Sequence, residues 1–137
     1  MTWGAQELVR ASVFDVAIVT LPVRDRLLTV TPWLADRLVA IAPAEPAWRR
    51  TRALSPAALA RHPLILYERG GAIRAVIDRW FRAGGAAPRV AMELGNAEAI
   101  KKLVMAGLGI AVSSEVTVLA EVRTVLHNLR TRAKDRR

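Results

Sequence analysis

A strand–turn–helix unit that occurs twice in the middle of the chain is the feature that most constrains its fold. The apolar runs 64–67 and 89–94 each precede a turn and a helix with one apolar face, and a further apolar run covers 109–112. The helices carry their apolar side chains at spacings of three and four residues: Ile73, Val76, Ile77, Trp80 and Phe81, then Ile100, Leu103 and Val104. Strands joined by such helices form parallel βαβ units, so the sequence predicts an open α/β sheet.

Turn and cap residues mark where these elements begin and end. Ser55 followed by Pro56 predicts the start of a short helix, which Pro63 ends. Gly84 and Gly85 lie where a helix C-cap needs a residue with positive φ. The stretch 43–52 combines Pro, Ala and Arg without periodicity, and we interpret it as a connector.

The two ends of the chain carry different patterns. Short apolar runs at 14–20, 27–30 and 37–42 predict strands, the first of them buried on both sides. Toward the other end, Val118, Val122, Val125 and Leu129 recur at intervals of four, three and four, which predicts a long amphipathic helix from Glu115 onward.

The composition is that of a folded protein in a reducing compartment. Hydrophobic residues make up 53% and charged residues 24% of the chain, which argues against intrinsic disorder. The absence of cysteine excludes disulfides, thiolate metal sites and a cysteine nucleophile. No apolar run approaches the ~18 residues of a membrane helix, and the start lacks a secretory signal pattern. We therefore expect a cytoplasmic protein without membrane association.

Basic residues outnumber acidic ones, and many lie near the end of the chain. The 21 Lys and Arg against 12 Asp and Glu give a formal net charge of +9. A basic tail at 123–137 could contact nucleic acid, or it could be the solvated end of a helix. A nucleic-acid-binding fragment is therefore one open alternative, marked by salt-dependent binding that the tail confers.

The sequence offers no catalytic constellation. His62 and His127 lack carboxylate partners at ligand spacing, so we expect no catalytic residue and no metal site. Ser113 and Ser114 follow a predicted strand, where capping the next helix is the simpler role. The run GLGIAV joins a helix to a strand, the reverse of a dinucleotide-binding turn. We therefore expect no cofactor and no enzyme activity.

Two helix starts at one edge of the predicted sheet are the best candidates for a binding site. Gly70 and Gly71 open one helix directly after a strand, and Asn96 opens the next. Both leave backbone N–H groups at the carboxyl edge of the strands, where open α/β sheets bind ligands. A cleft for a small anionic molecule and ordinary helix capping both remain open from this pattern.

The order of these segments resembles a known family over most of the chain. The runs FDVAIVTLPV, DRLVAIAP, LSPAALARHPLILYERGGAIRAVIDRWFRAGGAAPRV and MELGNAEAIKKLVMAGLGIAVSSEV are similar to the effector-binding domain of LysR-type transcriptional regulators. The resemblance implies an α/β fold like a type 2 periplasmic binding protein, in which two lobes enclose an effector. It assigns 1–42 to a partial first lobe, with an incomplete set of strands, and 43–114 to a complete second lobe with a parallel sheet. The remainder, 115–137, is the basic helix.

The resemblance also implies which residues contact the effector. They come from the loop after the first predicted strand, from the ERGGAIR turn and from the start of the following helix: Thr20, Leu21, Pro22, Arg69, Gly70, Gly71, Asn96, Ala97, Glu98 and Lys102. It implies homo-oligomers, and contact with DNA only through a helix-turn-helix domain that this chain lacks. A solute-binding receptor of the same fold is the other alternative.

Overall fold

The computed structural model describes residues 4–19, 23–51, 53–122 and 126–131. The helices, in chain order, are α1 (Ala5–Arg10), α2 (Pro46–Arg49), α3 (Pro56–Leu59), α4 (Ala72–Ala83), α5 (Ala97–Met105) and α6 (Glu115–Val122). The strands are β1 (Leu38–Pro43), β2 (Ala53–Leu54), β3 (Pro63–Tyr67), β4 (Arg89–Leu94), β5 (Ile110–Ser114) and β6 (Leu126–Thr131). The chain forms two compact units, Met1–Ala35 and Asp36–Arg137.

The predicted βαβ repeat is confirmed. Strand β3 pairs in parallel with β4 on one side and with β5 on the other. Helix α4 connects β3 to β4, and α5 connects β4 to β5. The first connection therefore leads from β3 to β4 on one side of it. The second crosses β3 and leads to β5 on its other side.

The two connecting helices cover opposite faces of the sheet. Ile77 and Phe81 of α4 pack in a cluster with Leu64 and Leu66 of β3. Ile65, between those two leucines, packs instead with Ile100 and Val104 of α5. This alternation is the period-two pattern of a strand buried on both faces. The apolar residues in both helix patterns therefore form the core.

The sheet is mixed rather than wholly parallel. Its strand order is β2-β6-β1-β5-β3-β4, and β1 runs antiparallel to both β5 and β6. Ala40 and Ile41 of β1 face Val112 and Ala111 of β5. An apolar run predicts that a strand is buried but carries no information about its direction, so the prediction of a parallel sheet missed this strand pairing.

The predicted C-terminal helix is wrong over residues 126–131. Helix α6 covers Glu115–Val122, and Leu126–Thr131 forms β6, which pairs with β1 on one side and β2 on the other. The apolar spacing that predicted a helix through Leu129 is therefore overridden by the sheet edge that β1 offers. Residues 123–125 and 132–137 of the predicted helix lie outside the described residues.

Two of the strands predicted near the start are also wrong. Residues 14–19 and 27–30 form no strand, and Val16 and Ile18 are 82% and 76% exposed. A strand is stable only when a neighbour pairs with its backbone, and the described residues of this unit supply none. The third predicted strand is confirmed as β1. The stretch 43–52, interpreted as a connector, contains the single turn of α2.

The predicted caps at the start of α3 and the end of α4 are confirmed. The Ser55 hydroxyl accepts a hydrogen bond from Ala58 N, at 3.2 Å, and Pro56 follows as the first residue of α3. After α4, Gly85 has a positive φ of 67°. These local signals fix where α3 begins and where α4 ends.

Candidate functional site

The turns that follow β3 and β4 meet at one edge of the sheet. We call residues 68–71 the β3–α4 turn and residues 95–96 the β4–α5 turn. Their strands are adjacent and parallel, and their helices leave toward opposite faces. A crevice outside the carboxyl ends of two such strands is where open α/β sheets bind ligands. The topology therefore brings the two helix starts singled out from the sequence to the same edge of the sheet.

Direct contacts hold the two turns together. The backbone N–H of Glu68 donates to the carbonyl of Leu94 over 3.1 Å. The Glu68 carboxylate lies against Gly95, since a Cβ at that glycine would stand 3.1 Å from Glu68 Oε2. A side chain at residue 95 would displace this carboxylate. The Glu68 carboxylate therefore lies beside the backbone donors of the helix starts.

Helix α4 begins without either of the usual stabilising devices. Gly71 is its N-cap residue and supplies no side-chain hydrogen bond, and no acidic residue lies in its first turn. Gly70 before it has a φ of 95°, a conformation that strongly favours glycine. The first N–H groups of a helix carry partial positive charge and need acceptors. The start of α4 is therefore suited to accept an anion.

Helix α5 differs because its own residues cap it. The Asn96 side-chain oxygen accepts from Glu98 N at 2.8 Å and from Ala99 N at 3.3 Å. Glu98 lies in the first turn and pairs with Lys101 at 2.6 Å. The Asn96 oxygen and the Glu98 carboxylate are engaged in the helix itself. Of the two helix starts, α4 is the better anion site.

Arg69 of the β3–α4 turn and Arg74 of α4 both approach Glu93 of β4. Arg74 is 3% exposed, and its Nη1 stands 3.4 Å from Glu93 Oε1. Arg69, with a side chain 79% exposed, has its Nε 3.9 Å from the same oxygen. Because Glu93 is already paired with the buried arginine, Arg69 loses little by turning toward a ligand.

Sequence reasoning missed a hydroxyl pair at the ends of β3 and β5. The hydroxyls of Tyr67 and Ser113 form a hydrogen bond, with their oxygens 2.7 Å apart, and Ser113 is buried. Neither a tyrosine at a strand end nor a serine run carries a signal for such a contact. The pair links the carboxyl ends of two strands beside the β3–α4 turn.

The predicted capping role of Ser113 and Ser114 needs correction. It is Asp36, just before β1, whose carboxylate accepts from Val116 N in the first turn of α6, at 3.3 Å. The Ser114 hydroxyl donates to the same carboxylate. Arg37 and Glu115 form an ion pair at 2.9 Å beside it. A residue distant in sequence therefore supplies the acceptor that the two serines were expected to provide.

The structure brings six of the ten predicted site residues to one edge of the sheet. Three of them lie in the β3–α4 turn: Arg69, Gly70 and Gly71. Three others lie at the start of α5: Asn96, Ala97 and Glu98. Lys102 is exposed on α5, whereas its neighbour Lys101 is buried and donates to the carbonyl of Thr117 at 3.1 Å. Thr20, Leu21 and Pro22 lie outside the described residues.

Within the described part of the chain, no cluster of three or more His, Asp or Glu side chains is placed to hold a metal ion. None of the helices described is long and apolar enough to cross a membrane.

The chain is similar in sequence to part of several transcriptional regulators. The model of the LysR substrate binding domain matches residues 2–135. The HTH-type transcriptional regulator CbbR of Xanthobacter flavus is 41% identical over 112 residues, which cover 80% of this chain and 33% of that protein. The RuBisCO operon transcriptional regulator of Allochromatium vinosum is 31% identical over 110 residues, which cover 80% of this chain and 36% of that protein. The chain thus spans about a third of the length of these relatives.

Solved structures of similar fold include two with bound small molecules. The regulatory domain of CcmR from Synechocystis PCC6803, in complex with 2-PG, is 32% identical with a TM-score of 0.64, over 74% of this chain and 49% of that one. The effector-binding domain of QuiR, in complex with shikimate, is 18% identical with a TM-score of 0.63, over 74% of this chain and 47% of that one. The second likeness concerns the fold alone.

Proposed function

The chain belongs to the LysR substrate binding domain family, and from this we propose that it is the effector-binding part of a transcriptional regulator, with a small anionic metabolite as its effector. Its relatives are named as transcriptional regulators. Two structures of similar fold hold small molecules, shikimate and 2-PG. Sensing by reversible binding, rather than catalysis, is the function that these relatives support.

The start of α4 is the observation that carries the proposed charge of the effector. It lacks a side-chain cap and an acidic residue in its first turn, while α5 beside it has both. Backbone N–H groups and the positive end of the helix dipole favour a carboxylate or phosphate at such a position. The exposed Arg69 adds a positive charge beside this helix start.

The same proposal defines the partners. Binding of the effector shifts the balance between arrangements of the domain, and an attached helix-turn-helix domain transmits this shift to DNA. We expect the regulator to act as a homo-oligomer in the cytoplasm, where its DNA lies. Sedimentation of the purified protein tests the oligomer directly.

A thermal melt with a panel of small carboxylic and phosphorylated acids tests the proposal. A ligand that binds only the folded state at 100 times its Kd adds about 2.7 kcal/mol to stability, so one acid should raise the midpoint by several degrees. The matched variant is Gly71→Leu. Within 4 Å, a Cβ at Gly71 would meet only the Glu68 carbonyl oxygen, at 4.0 Å, so the backbone has room for a side chain there. We expect the leucine side chain to occupy the space in front of the first N–H groups of α4.

We expect the acid to raise the melting midpoint of the natural protein and not that of Gly71→Leu. The ligand-free midpoint of Gly71→Leu should fall modestly, because leucine is a poorer N-cap residue than glycine. A panel without any shift contradicts the sensing role. A shift that Gly71→Leu retains contradicts the location of the site.

A further inference from the structure

We infer that Arg74 is the positioning residue of the proposed site: it holds the β3–α4 turn in the geometry that presents the backbone donors of α4. The inference rests on the proposed function, because the turn needs a fixed shape only if a ligand binds there. Arg74 itself is too buried to contact a ligand, being 3% exposed.

The contacts of Arg74 join the elements on either side of the turn. Its Nη1 donates to the carbonyl of Tyr67, the last residue of β3, over 2.8 Å. Its Nε donates to Asp78 Oδ1, one helical turn further along α4, over 2.9 Å. Glu93 Oε1 of β4 stands 3.4 Å from the same Nη1. One guanidinium therefore links β3, α4 and β4 at the point where the chain reverses.

The position of this charge is unfavourable unless it serves the turn. Arg74 is the third residue of α4, where the helix dipole favours a negative side chain. Burial of the charge adds a desolvation cost that Asp78 and Glu93 offset. A guanidinium presents its donors in a planar fork, so it reaches a carbonyl and two carboxylates in fixed directions. Its positive charge also lies under the helix start that receives the anion.

The effect on a ligand follows from the backbone that Arg74 fixes. The carbonyl of Tyr67 is the last atom group of β3 before the turn, and Glu68 N continues the pairing to Leu94. Gly70 and Gly71 follow these hydrogen bonds in the chain, and they have no side chains to restrict their backbone. Without Arg74, the turn gains freedom that a ligand must remove on binding, which weakens affinity.

Amide hydrogen exchange and phosphate binding, measured on the same full-length variants, test the inference. The variants are Arg74→Met, Arg74→Lys and Glu93→Gln, with Arg79→Met as the control on the exposed face of α4. The reporting amides are Glu68, bonded to Leu94, and Ala75, bonded to Gly71. Ala111 in β5 reports on the stability of the whole sheet. Inorganic phosphate, titrated by calorimetry, is the ligand probe.

Arg74→Met should accelerate exchange at Glu68 and Ala75 by about tenfold or more relative to Ala111, since a hydrogen bond to a charged group is lost. Arg74→Lys should restore part of the protection, Glu93→Gln should show a smaller acceleration of the same pattern, and Arg79→Met none. Phosphate affinity should fall in the same order. Because Glu93 is partly exposed, its variant keeps the test valid if Arg74→Met fails to fold.

Equal acceleration at Glu68, Ala75 and Ala111 would mean that Arg74 acts only on global stability and would overturn the inference. Unchanged exchange at Glu68 and Ala75 would overturn it too. If the natural protein binds neither phosphate nor any acid, the proposed function fails, and the exchange pattern still decides whether Arg74 fixes the turn.

Discussion

Gly71 is the residue at which the stability of α4 and the binding of a ligand compete. It occupies the N-cap, where Asp, Asn, Ser and Thr stabilise helices most. Its φ of −85° is open to any residue, so the backbone does not require glycine there. The glycine leaves the first N–H groups of α4 without a side-chain acceptor, which is the state a ligand needs.

Gly71→Asp should therefore stabilise the fold and abolish anion binding. The new carboxylate caps α4 and complements its dipole, so the free energy of unfolding should rise by about 0.3–1 kcal/mol in urea titrations. The same carboxylate occupies the anion position, so the midpoint shift with the effector acid should vanish. Gly71→Ala, which offers no acceptor, is the matched control. A Gly71→Asp variant that binds the acid as the natural protein does would refute this competition.

At the scale of elements, the two faces of α4 should differ sharply in their tolerance of substitution. Phe81 is fully buried against the sheet, so Phe81→Ala should lower the free energy of unfolding by about 3–5 kcal/mol. Arg79 lies on the exposed face, and Arg79→Ala should change the free energy of unfolding by less than about 0.5 kcal/mol. Chemical denaturation of both variants measures the contrast, and comparable losses would show that α4 does not pack as described.

The contact between α3 and α4 depends on the absence of a side chain at Gly84. A Cβ there would lie 2.4 Å from Pro56 Cγ. Gly84→Ala should therefore cost about 1–3 kcal/mol of stability through overpacking. Gly109→Ala is the control, because its Cβ would meet Ile65 at an ordinary 3.4 Å. Equal thermal midpoints for the two variants would contradict the close packing of these helices.

Elements whose signals are local could be predicted from the sequence, and those that depend on a distant partner could not. The apolar faces of α4 and α5 and the cap at Ser55 are local patterns, and the structure confirms them. Of the two interpretations left open for Asn96, the structure shows helix capping. Residues 14–19 have a strand pattern without a strand, and Leu126–Thr131 form a strand within a helical pattern. In both cases pairing with a neighbour, or its absence, overrides local propensity.

The same division applies to the candidate site. The two turns could be located because a strand, a glycine and a helix start follow each other in sequence. The burial of Arg74, the Tyr67–Ser113 pair and the contact of Asp36 with Val116 depend on side chains from separate elements. Such contacts can be predicted only when the order of the strands in the sheet is known. That order cannot be read from a single sequence.

At the scale of the whole molecule, both core clusters belong to the second compact unit. Every residue of the two clusters lies within Asp36–Arg137. A chain of residues 36–137 should therefore melt cooperatively, with a midpoint within about 5 °C of the full chain, equivalent to roughly 1 kcal/mol. Calorimetry of both chains gives the comparison. Loss of the cooperative transition would mean that residues 1–35 contribute to the core.

The central claim is that a small anion binds at the start of α4, and an amide chemical-shift titration of the full chain tests it most directly. Inorganic phosphate and the acid that raises the melting midpoint are added in turn to the ¹⁵N-labelled protein. We expect saturable shifts at the amides of residue 71, Ala72 and Ile73 in the natural protein and none at these amides in Gly71→Asp. Saturable binding that leaves these three amides unmoved while others shift would contradict it.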